Sequence, residues 1–265
     1  MTQRGRAVAE VFGRAAHTYG RVGQDFFGFF GRRIVAMTGE TLGGSVLDVG
    51  CGAAAALVAA SAAVEEGALV VGVDLSREML LRAAEALAKS EAAVFVALAD
   101  AERLPFPDGV FDAVVSSFAL GYFPSPQRAV AEMRRVLKPR GKVGICVSDG
   151  WWFQGDPDWR WHEELLAELR APVEGGPFRN PAAVVDLLTE AAFNVKDAVV
   201  ETFPLEWKDA DEWWDAGWSH GYRKVLEALS PSALQEYRTR SYERLKGTPV
   251  RGRLEVVLVT GEAVS

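Results

Sequence analysis

The chain has 265 residues, of which 49% are hydrophobic and 25% charged, with a formal net charge of −7. This composition is typical of a folded globular protein, and the absence of a basic block disfavours a nucleic-acid partner. No window reaches the roughly 18 uncharged apolar residues of a membrane helix, so no membrane span is expected.

The cysteine content and the first residues indicate a compartment. Only Cys51 and Cys146 are present, and the initial segment MTQRGRAVAEVFGRAA lacks the apolar run of a signal peptide. We therefore expect a reduced protein in the cytoplasm.

Strands alternate with helices through the first half of the chain. A helical pattern runs from Val8 to Thr38 and is interrupted at Gly20 and Gly23. Predicted strands follow at Val46–Val49, Ala68–Leu75, Ala93–Ala99, Asp112–Leu120 and Lys142–Asp149. Predicted helices between them are Ala53–Glu65, Arg77–Ser90 (with Ser76 as N-cap) and Pro126–Leu137. This alternation of continuous apolar strands with helices predicts a parallel sheet covered on both faces.

The second half begins with a segment rich in tryptophan and acidic residues. The later predicted elements are a helix, a strand, a long helical region and a last strand, at Asn180–Ala192, Asn194–Phe203, Asp209–Lys246 and Leu254–Gly261. The helical region carries closely spaced tryptophans, which favours a cap packed on the sheet.

These elements predict one α/β domain over residues 1–265. We expect a Rossmann-like, doubly wound, mostly parallel sheet with an antiparallel strand near the C-terminus and a helical cap. Residues 8–149 form the cofactor-binding core in this interpretation. Residues 150–180 and 205–250 are insertions that cap the substrate.

Glycines and acids mark the ends of the first three strands. Gly50 and Gly52 lie in the turn of VLDVGCG, where glycine lets the backbone approach a ligand without Cβ interference. Asp48, Asp74 and Asp100 recur at equal steps of 26 residues. Because the carboxyl ends of parallel strands share one edge, all three acids should lie beside one ligand site. Asp74, 22 positions after Gly52, can accept from both hydroxyls of a ribose.

Four segments carry a family resemblance in combination, whereas the Gly-x-Gly alone also occurs in ordinary turns. They are VLDVGCGAAAA, VVGVDLSREML, ADAERLPFPDGVFDAVVSSFALGYF and RRVLKPRGKVGICV. Together they resemble the class I S-adenosylmethionine-dependent methyltransferases, in particular the branch of ubiquinone/menaquinone-biosynthesis and small-metabolite enzymes. The chain has Ala53 and Ala54 where that family usually has a Thr-Gly-like pair. A cofactor without phosphate tolerates this change, which argues against a dinucleotide.

The resemblance implies which residues surround the methionine part of S-adenosylmethionine. Asp48 would orient the glycine loop and approach the amino group. Gly50 and Gly52 would admit the methionine and ribose portions, and Ser116 and Phe118 would line the side near the sulfonium.

The resemblance also implies an adenosine site. Asp74 would hold the ribose hydroxyls, and Leu75 and Met79 would sandwich the adenine. Asp100 would accept from the adenine amino group, with a backbone contact from Ala101.

Two residues are candidates for the catalytic step. Tyr19 corresponds to a tyrosine that closes over the cofactor in the resembling family, with ordinary packing as the alternative. His220, in EWWDAGWSHGYRK, is a candidate base or hydrogen-bond donor in an aromatic-walled acceptor pocket. The alternative is a cap whose aromatic residues only pack on the core. Trp151, Trp152 and His162 are further candidates for that pocket, and the histidines and cysteines show no spacing typical of a metal site.

The leading hypothesis is methyl transfer to a small, fairly apolar metabolite at oxygen, carbon or nitrogen, by a monomer or homodimer. One alternative is methylation of a peptide or protein carboxylate, with Arg251 and Arg253 as anion contacts. Another is a protein that binds the cofactor without transferring its methyl group.

Overall fold

The computed structural model describes residues 2–39, 42–88, 90, 93–148, 157–172, 176, 178, 180–247 and 249–264. The candidates Trp151 and Trp152 lie outside the described residues, as does Asp149 at the end of the fifth predicted strand.

One sheet organises the described part of the chain. Its strands are β1 (Ser45–Val49), β2 (Leu69–Asp74), β3 (Ala93–Leu98), β4 (Phe111–Ser117), β5 (Leu137–Ser148), β6 (Phe193–Trp207) and β7 (Val250–Ala263). The seven strands lie in the order β3-β2-β1-β4-β5-β7-β6. Neighbours from β3 to β5 pair in parallel, and β7 runs antiparallel to both β5 and β6. The predicted fold class is confirmed, including the antiparallel strand near the C-terminus.

Helices cover the sheet and extend beyond it. They are α1 (Gln3–Ala15), α2 (Phe26–Thr38), α3 (Ala55–Ser61), α4 (Arg77–Leu87), α5 (Pro126–Val136), α6 (Arg160–Glu168), α7 (Pro181–Glu190), α8 (Ala210–Trp218), α9 (Arg223–Ala228) and α10 (Pro231–Arg244). A short 3-10 helix, Leu120–Tyr122, follows β4. Ser76 caps α4 as predicted, because its hydroxyl accepts from the Met79 amide at 3.3 Å.

Two elements differ from the sequence prediction. The sequence predicted that the helix ends at Leu137 and that the fifth strand begins at Lys142. In the structure, β5 begins at Leu137, directly after α5, and therefore includes the KPRGK segment. The pairing of β5 with β4 is irregular between Phe111 and Ala113 of β4. The long helical region is divided into α8, α9 and α10. Ser230 caps the last of these, and Pro231 at its first position favours a new helix rather than a continuation of the previous one.

The apolar core has one part that belongs to the cap. α2, the ends of β6 and β7, and α6, α8, α9 and α10 form a cluster that includes Trp159, Trp207 and Trp213, each at most 4% exposed. All eight tryptophans of the chain lie between residues 151 and 218. The six described ones belong to this cluster or pack against it. These six tryptophans therefore build the interior of the cap.

Among the described residues, no helix combines the length and apolar character needed to cross a membrane.

Candidate active site

A cleft opens where β1, β2, β3 and β4 end, and it encloses about 720 Å³, including space open to solvent. Its lining contains predicted site residues, namely Tyr19, Gly50, Gly52, Asp74, Leu75, Met79, Asp100, Ala101 and Phe118. Helix α1, to which the sequence analysis gave no role, contributes Gly5, Val8, Ala9 and Phe12. The structure thus brings Asp74 and Asp100 to one edge of the sheet and adds a helical wall, whereas Asp48 is buried and is not among the lining residues.

The glycine loop has the backbone conformation that glycine permits. Gly50 and Gly52 have φ values of 75° and 51°, in the left-handed region. The amides of Gly50 and Cys51 both donate to the Val73 carbonyl, at 2.8 and 3.0 Å, which fixes the loop to the end of β2. A Cβ added at Gly50 would overlap that of Ala119. A side chain at this position would therefore push the loop away from the cleft.

Asp74 is held by the same loop. Its Oδ2 accepts from the Gly52 amide at 2.9 Å, and its Oδ1 accepts from the Ser76 amide at 2.8 Å. Burial raises the pKa of the Asp74 carboxyl, and these backbone donors partly oppose the rise. Each carboxylate oxygen keeps acceptor capacity beyond its one backbone bond. The group can therefore still receive a diol.

Asp48 is a buried carboxyl without a partner. It is 1% exposed, and neither oxygen has a hydrogen bond to a described residue. Burial, together with the charge of Asp74, raises the pKa of Asp48 to about 8, and the nearby Leu57 backbone amide opposes this rise only in part. An unpaired buried carboxylate is costly, and a cationic group nearby would offset that cost. The side chain thus fits the ammonium of an amino-acid-like ligand.

Two positions, Ser116 and Ala54, differ from what the family resemblance implies. Ser116 does not line the cleft: it is fully buried, and its hydroxyl donates to the Val49 carbonyl at 2.8 Å. Ser117, the next residue, lines the cleft instead, because successive side chains of a strand point to opposite faces. Ala54 has a left-handed φ of 72° and packs into the core. Its backbone therefore adopts a conformation that glycine favours, and Ala54 is not among the residues that line the cleft.

A second cavity of about 440 Å³, including space open to solvent, adjoins the cleft. It is lined by Phe12, Tyr19, Phe26, Phe27, Phe118, Tyr122, Ser148, His220, Gly221, Tyr222 and Leu254. None of these lining residues is an aspartate, glutamate, lysine or arginine. Four aromatic side chains line both spaces, and we call them the aromatic neck: Phe12, Tyr19, Phe118 and Tyr122.

Ring contacts order the aromatic neck. Tyr19 stacks on Phe27 with centroids 4.7 Å apart, and Phe118 meets Phe27 edge-on at 5.2 Å. Tyr122 lies edge-on to Phe12 at 4.9 Å. Phe118 has a φ of 57°, an uncommon conformation for an aromatic residue that is often found at ligand sites. The neck is therefore a defined junction between two spaces.

His220 lies in the second cavity, as the pocket hypothesis expects. It is 7% exposed, with its ring 6.2 Å from that of Phe26. Burial lowers the pKa of the imidazole to about 3, so the ring is neutral at physiological pH. A neutral imidazole carries one hydrogen-bond donor and one hydrogen-bond acceptor.

The other cap candidates lie elsewhere. His162 Nε2 is 2.8 Å from the Tyr237 hydroxyl and 3.1 Å from that of Tyr222, inside the cap. Of the two alternatives for the cap aromatics, the structure favours packing, because Trp213, Trp214 and Trp218 are not among the described residues that line the second cavity. The tryptophans pack in the cap interior because they are large enough to fill the space between its helices.

An ion-pair cluster ties α1 to the cap. Arg14 donates twice to Glu227 of α9, at 2.9 and 2.5 Å. Arg223 donates to the same carboxylate at 2.7 Å and to the Arg14 carbonyl at 3.3 Å. Helix α1, whose Phe12 lines both the cleft and the second cavity, is thus attached to α9, the helix that follows His220.

The possible anion contacts do not reach the second cavity. Arg251 pairs with Glu206 at 3.0 Å, and neither it nor Arg253 is among the lining residues. Both are exposed, whereas Leu254 on the opposite face of β7 lines the cavity. The described residues contain no cluster of three or more His, Cys, Asp or Glu side chains able to hold a metal ion.

Comparisons with known proteins give one consistent result. Residues 47–145 match the family model described as a methyltransferase domain. The chain is 30% identical to nocamycin O-methyltransferase from Saccharothrix syringae over 270 residues, which cover 95% of this chain and 96% of that protein. It is 31% identical to demethylmenaquinone methyltransferase from Staphylococcus carnosus, over 63% of this chain and 67% of that one. In fold it is similar to the YcgJ protein from Bacillus subtilis, with a TM-score of 0.61 and 22% identity over 89% of this chain and 99% of that chain.

Proposed function

The chain belongs to the class I S-adenosylmethionine-dependent methyltransferases, and from this premise we propose that it methylates a small, fairly apolar metabolite. The observation that carries the proposal is the second cavity, which is lined mainly by aromatic rings and joined to the cleft through the aromatic neck. Apolar aromatic walls bind apolar ligands and exclude water. The relatives named for nocamycin and demethylmenaquinone support a small-molecule acceptor for this chain as well.

In the cleft, we assign the cofactor to the predicted residues. Asp74 receives the ribose hydroxyls, Leu75 and Met79 contact the adenine, and Asp100 and Ala101 contact its edge. The unpartnered Asp48 carboxyl balances the amino group of the methionine part. When bound, S-adenosylmethionine supplies a methyl group on a cationic sulfur, and that sulfur keeps the electron pair of the broken bond.

The chain's own contribution to the reaction is position and exclusion of water. Holding two reactants in line can supply several kcal/mol of the activation free energy, on the order of 7 to 11 in favourable cases. The aromatic neck separates the two spaces where the reacting groups would meet, with Tyr19 over the cofactor. His220, neutral in its buried position, contacts the acceptor as a hydrogen-bonding group, since a pKa lowered to about 3 makes the imidazole a weak base.

The proposal is tested with labelled S-adenosylmethionine and a panel of quinols, phenols and peptides. We expect label in quinol or phenol products and none in peptides. Label in peptide carboxyl groups would favour the carboxylate alternative. Cofactor binding without any transfer would favour a protein that no longer methylates.

Asp74→Ala is the matching test of the cofactor site. Loss of the carboxylate removes two backbone hydrogen bonds and the proposed ribose contacts, so calorimetry should show a large loss of cofactor affinity. Asp197→Ala, far along β6, serves as the control. Unchanged affinity of Asp74→Ala would contradict the ribose assignment.

A further inference from the structure

We infer that the Tyr122 hydroxyl binds an oxygen atom of the methyl acceptor, and that the acceptor is therefore an oxygen acid: an enol, a phenol or a carboxylic acid. The inference rests on the proposed function, since it concerns the occupant of the second cavity. It adds a residue to which the sequence analysis gave no role, and it chooses oxygen among the three acceptor atoms left open.

The Tyr122 hydroxyl lies on the side of the aromatic neck that faces the second cavity. Tyr122 lines both spaces, and a Cβ added at Gly221 would overlap its hydroxyl oxygen. Gly221 lines the second cavity and not the cleft. It also directly follows His220, so the phenol oxygen lies beside the backbone that carries the imidazole.

The hydroxyl is available to a ligand. The Tyr122 hydroxyl makes no hydrogen bond within the part of the chain that the structure describes, although its ring is fixed edge-on against Phe12. Tyr222, which also lines the second cavity, differs because its hydroxyl has partners: it lies 2.8 Å from the Tyr237 hydroxyl and 3.1 Å from His162 Nε2. Burial raises the pKa of Tyr122 to about 12, so the group remains a donor at neutral pH.

The chemistry of the lining favours oxygen. The described lining offers phenol, hydroxyl and imidazole groups but no carboxylate, so an ammonium acceptor would find no counter-charge there. An ionised oxygen has three lone pairs. It can accept from Tyr122 and still present a lone pair to the methyl group. A neutral donor at the junction thus suits an oxygen nucleophile better than an amine.

The experiment uses four probes with one apolar skeleton: 1-naphthol, 1-naphthoic acid, 1-naphthylamine and 1-methylnaphthalene. Their affinities are measured by calorimetry on the protein loaded with S-adenosylhomocysteine. Tyr122→Phe removes one hydrogen bond, so we expect roughly five- to tenfold weaker binding of the two oxygen probes. Binding of the amine and the hydrocarbon should change less than about twofold, because neither depends on that donor.

Two further variants keep the test decisive. Gly221→Ala displaces the hydroxyl while leaving it in the protein, and it should weaken the same two probes. Tyr242→Phe removes a hydroxyl that bonds to Asp211 outside both cavities, and all four affinities should stay at the wild-type value. The affinity for S-adenosylhomocysteine and the circular dichroism spectrum establish that each variant is folded.

The outcomes separate the inference from the function on which it rests. Equal losses for all four probes, or no loss for the oxygen probes in either variant, overturn the role of Tyr122. Wild-type protein that binds the oxygen probes no better than 1-methylnaphthalene overturns the choice of oxygen alone. Failure of every probe to bind wild-type protein overturns the apolar acceptor cavity, and the inference with it.

Discussion

At the scale of single residues, the position of a residue on its strand or helix decides whether its side chain reaches the cleft. Gly50, Asp74 and Met79 lie at strand ends or first helical turns, where local patterns decide which face a side chain takes. Ser116 shows the limit of this reasoning: a shift of one residue exchanges the two faces of a strand, and Ser117 is the one that reaches the cleft. Tyr122 follows β4 in a short 3-10 helix, for which the sequence carries no periodic signal.

Asp48 should make the stability of the cofactor-free protein depend on pH. Its pKa is raised from 3.8 to about 8 in the folded state. Between these values the folded protein keeps a proton that the unfolded chain has lost. The free energy of unfolding therefore falls by about 1.4 kcal/mol per pH unit as the pH rises through this window, and this contribution levels off above the folded pKa.

Asp48→Asn tests this expectation by urea denaturation followed by circular dichroism. The variant should be more stable than wild type at pH 8, with a difference that shrinks toward pH 4, and it should bind cofactor more weakly. Asp186→Asn changes an exposed acid on α7 and should retain the wild-type dependence on pH. Parallel stability curves for wild type and Asp48→Asn would refute the assignment.

His220 should affect turnover without giving the rate a histidine-like pH profile. Because its pKa is lowered to about 3, the imidazole stays neutral across physiological pH and no inflection near 6.5 should appear. His220→Ala should lower kcat at least roughly tenfold with little change in cofactor affinity, and His220→Asn, which retains a donor and an acceptor, should recover part of the rate.

The control for His220 is His17→Ala, since His17 is an exposed histidine after α1. It should leave kcat unchanged. Unaltered turnover in His220→Ala would remove His220 from the proposed mechanism. An inflection near 6.5 that disappears in that variant would contradict the lowered pKa of the imidazole.

At the scale of elements, α1 is the feature that connects the two spaces. It lines the cleft and, through Phe12, the second cavity, and its end is bound to α9 by Arg14 and Glu227. The sequence predicted a helix here, because its apolar spacing is local information. It did not indicate the partner, because Arg14 and Glu227 are 213 residues apart.

Glu227→Gln should loosen α1 over the cleft. The pair is partly exposed, with side chains 48% and 26% accessible, so we expect a change of about 1 kcal/mol or less in the free energy of unfolding. The dissociation rate of S-adenosylhomocysteine should nevertheless rise, since the helix that covers it loses its anchor. Stopped-flow measurements give this rate.

Glu168→Gln is the matched control for that variant. It breaks the exposed ion pair with Arg240, which lies on α10 and lines neither cavity. Its dissociation rate should equal that of wild type. Equal rates in both variants would mean that α1 does not retain the cofactor.

At the scale of the whole molecule, the cleft and the second cavity are formed by different parts of the fold. The ends of β1 to β4 carry the cleft to which we assign the cofactor, whereas α2, the cap helices and β7 complete the second cavity. Strand alternation and the four family segments predicted the first region. The second combines residues such as Phe12, Phe118 and His220, which are brought together only by the tertiary fold.

Cofactor binding should stabilise the whole fold. At about 100 times its dissociation constant, S-adenosylhomocysteine should add about 2.7 kcal/mol to the free energy of unfolding, which raises Tm by several degrees. Asp74→Ala should show little of this rise at the same concentration, and its return at much higher concentration would identify the defect as weaker binding. A full Tm shift in Asp74→Ala at low concentration would contradict the assignment.

The confinement of all eight tryptophans to residues 151–218 has an optical consequence. Light that excites only indole reports on residues 151–218, while residues 8–149 emit nothing at that wavelength. Acceptor-like compounds near Tyr222 should therefore change the emission, whereas the adenosine end of the cofactor should leave it almost unaltered. A single unmodified sample thus distinguishes occupancy of one space from occupancy of the other, without any dye or label.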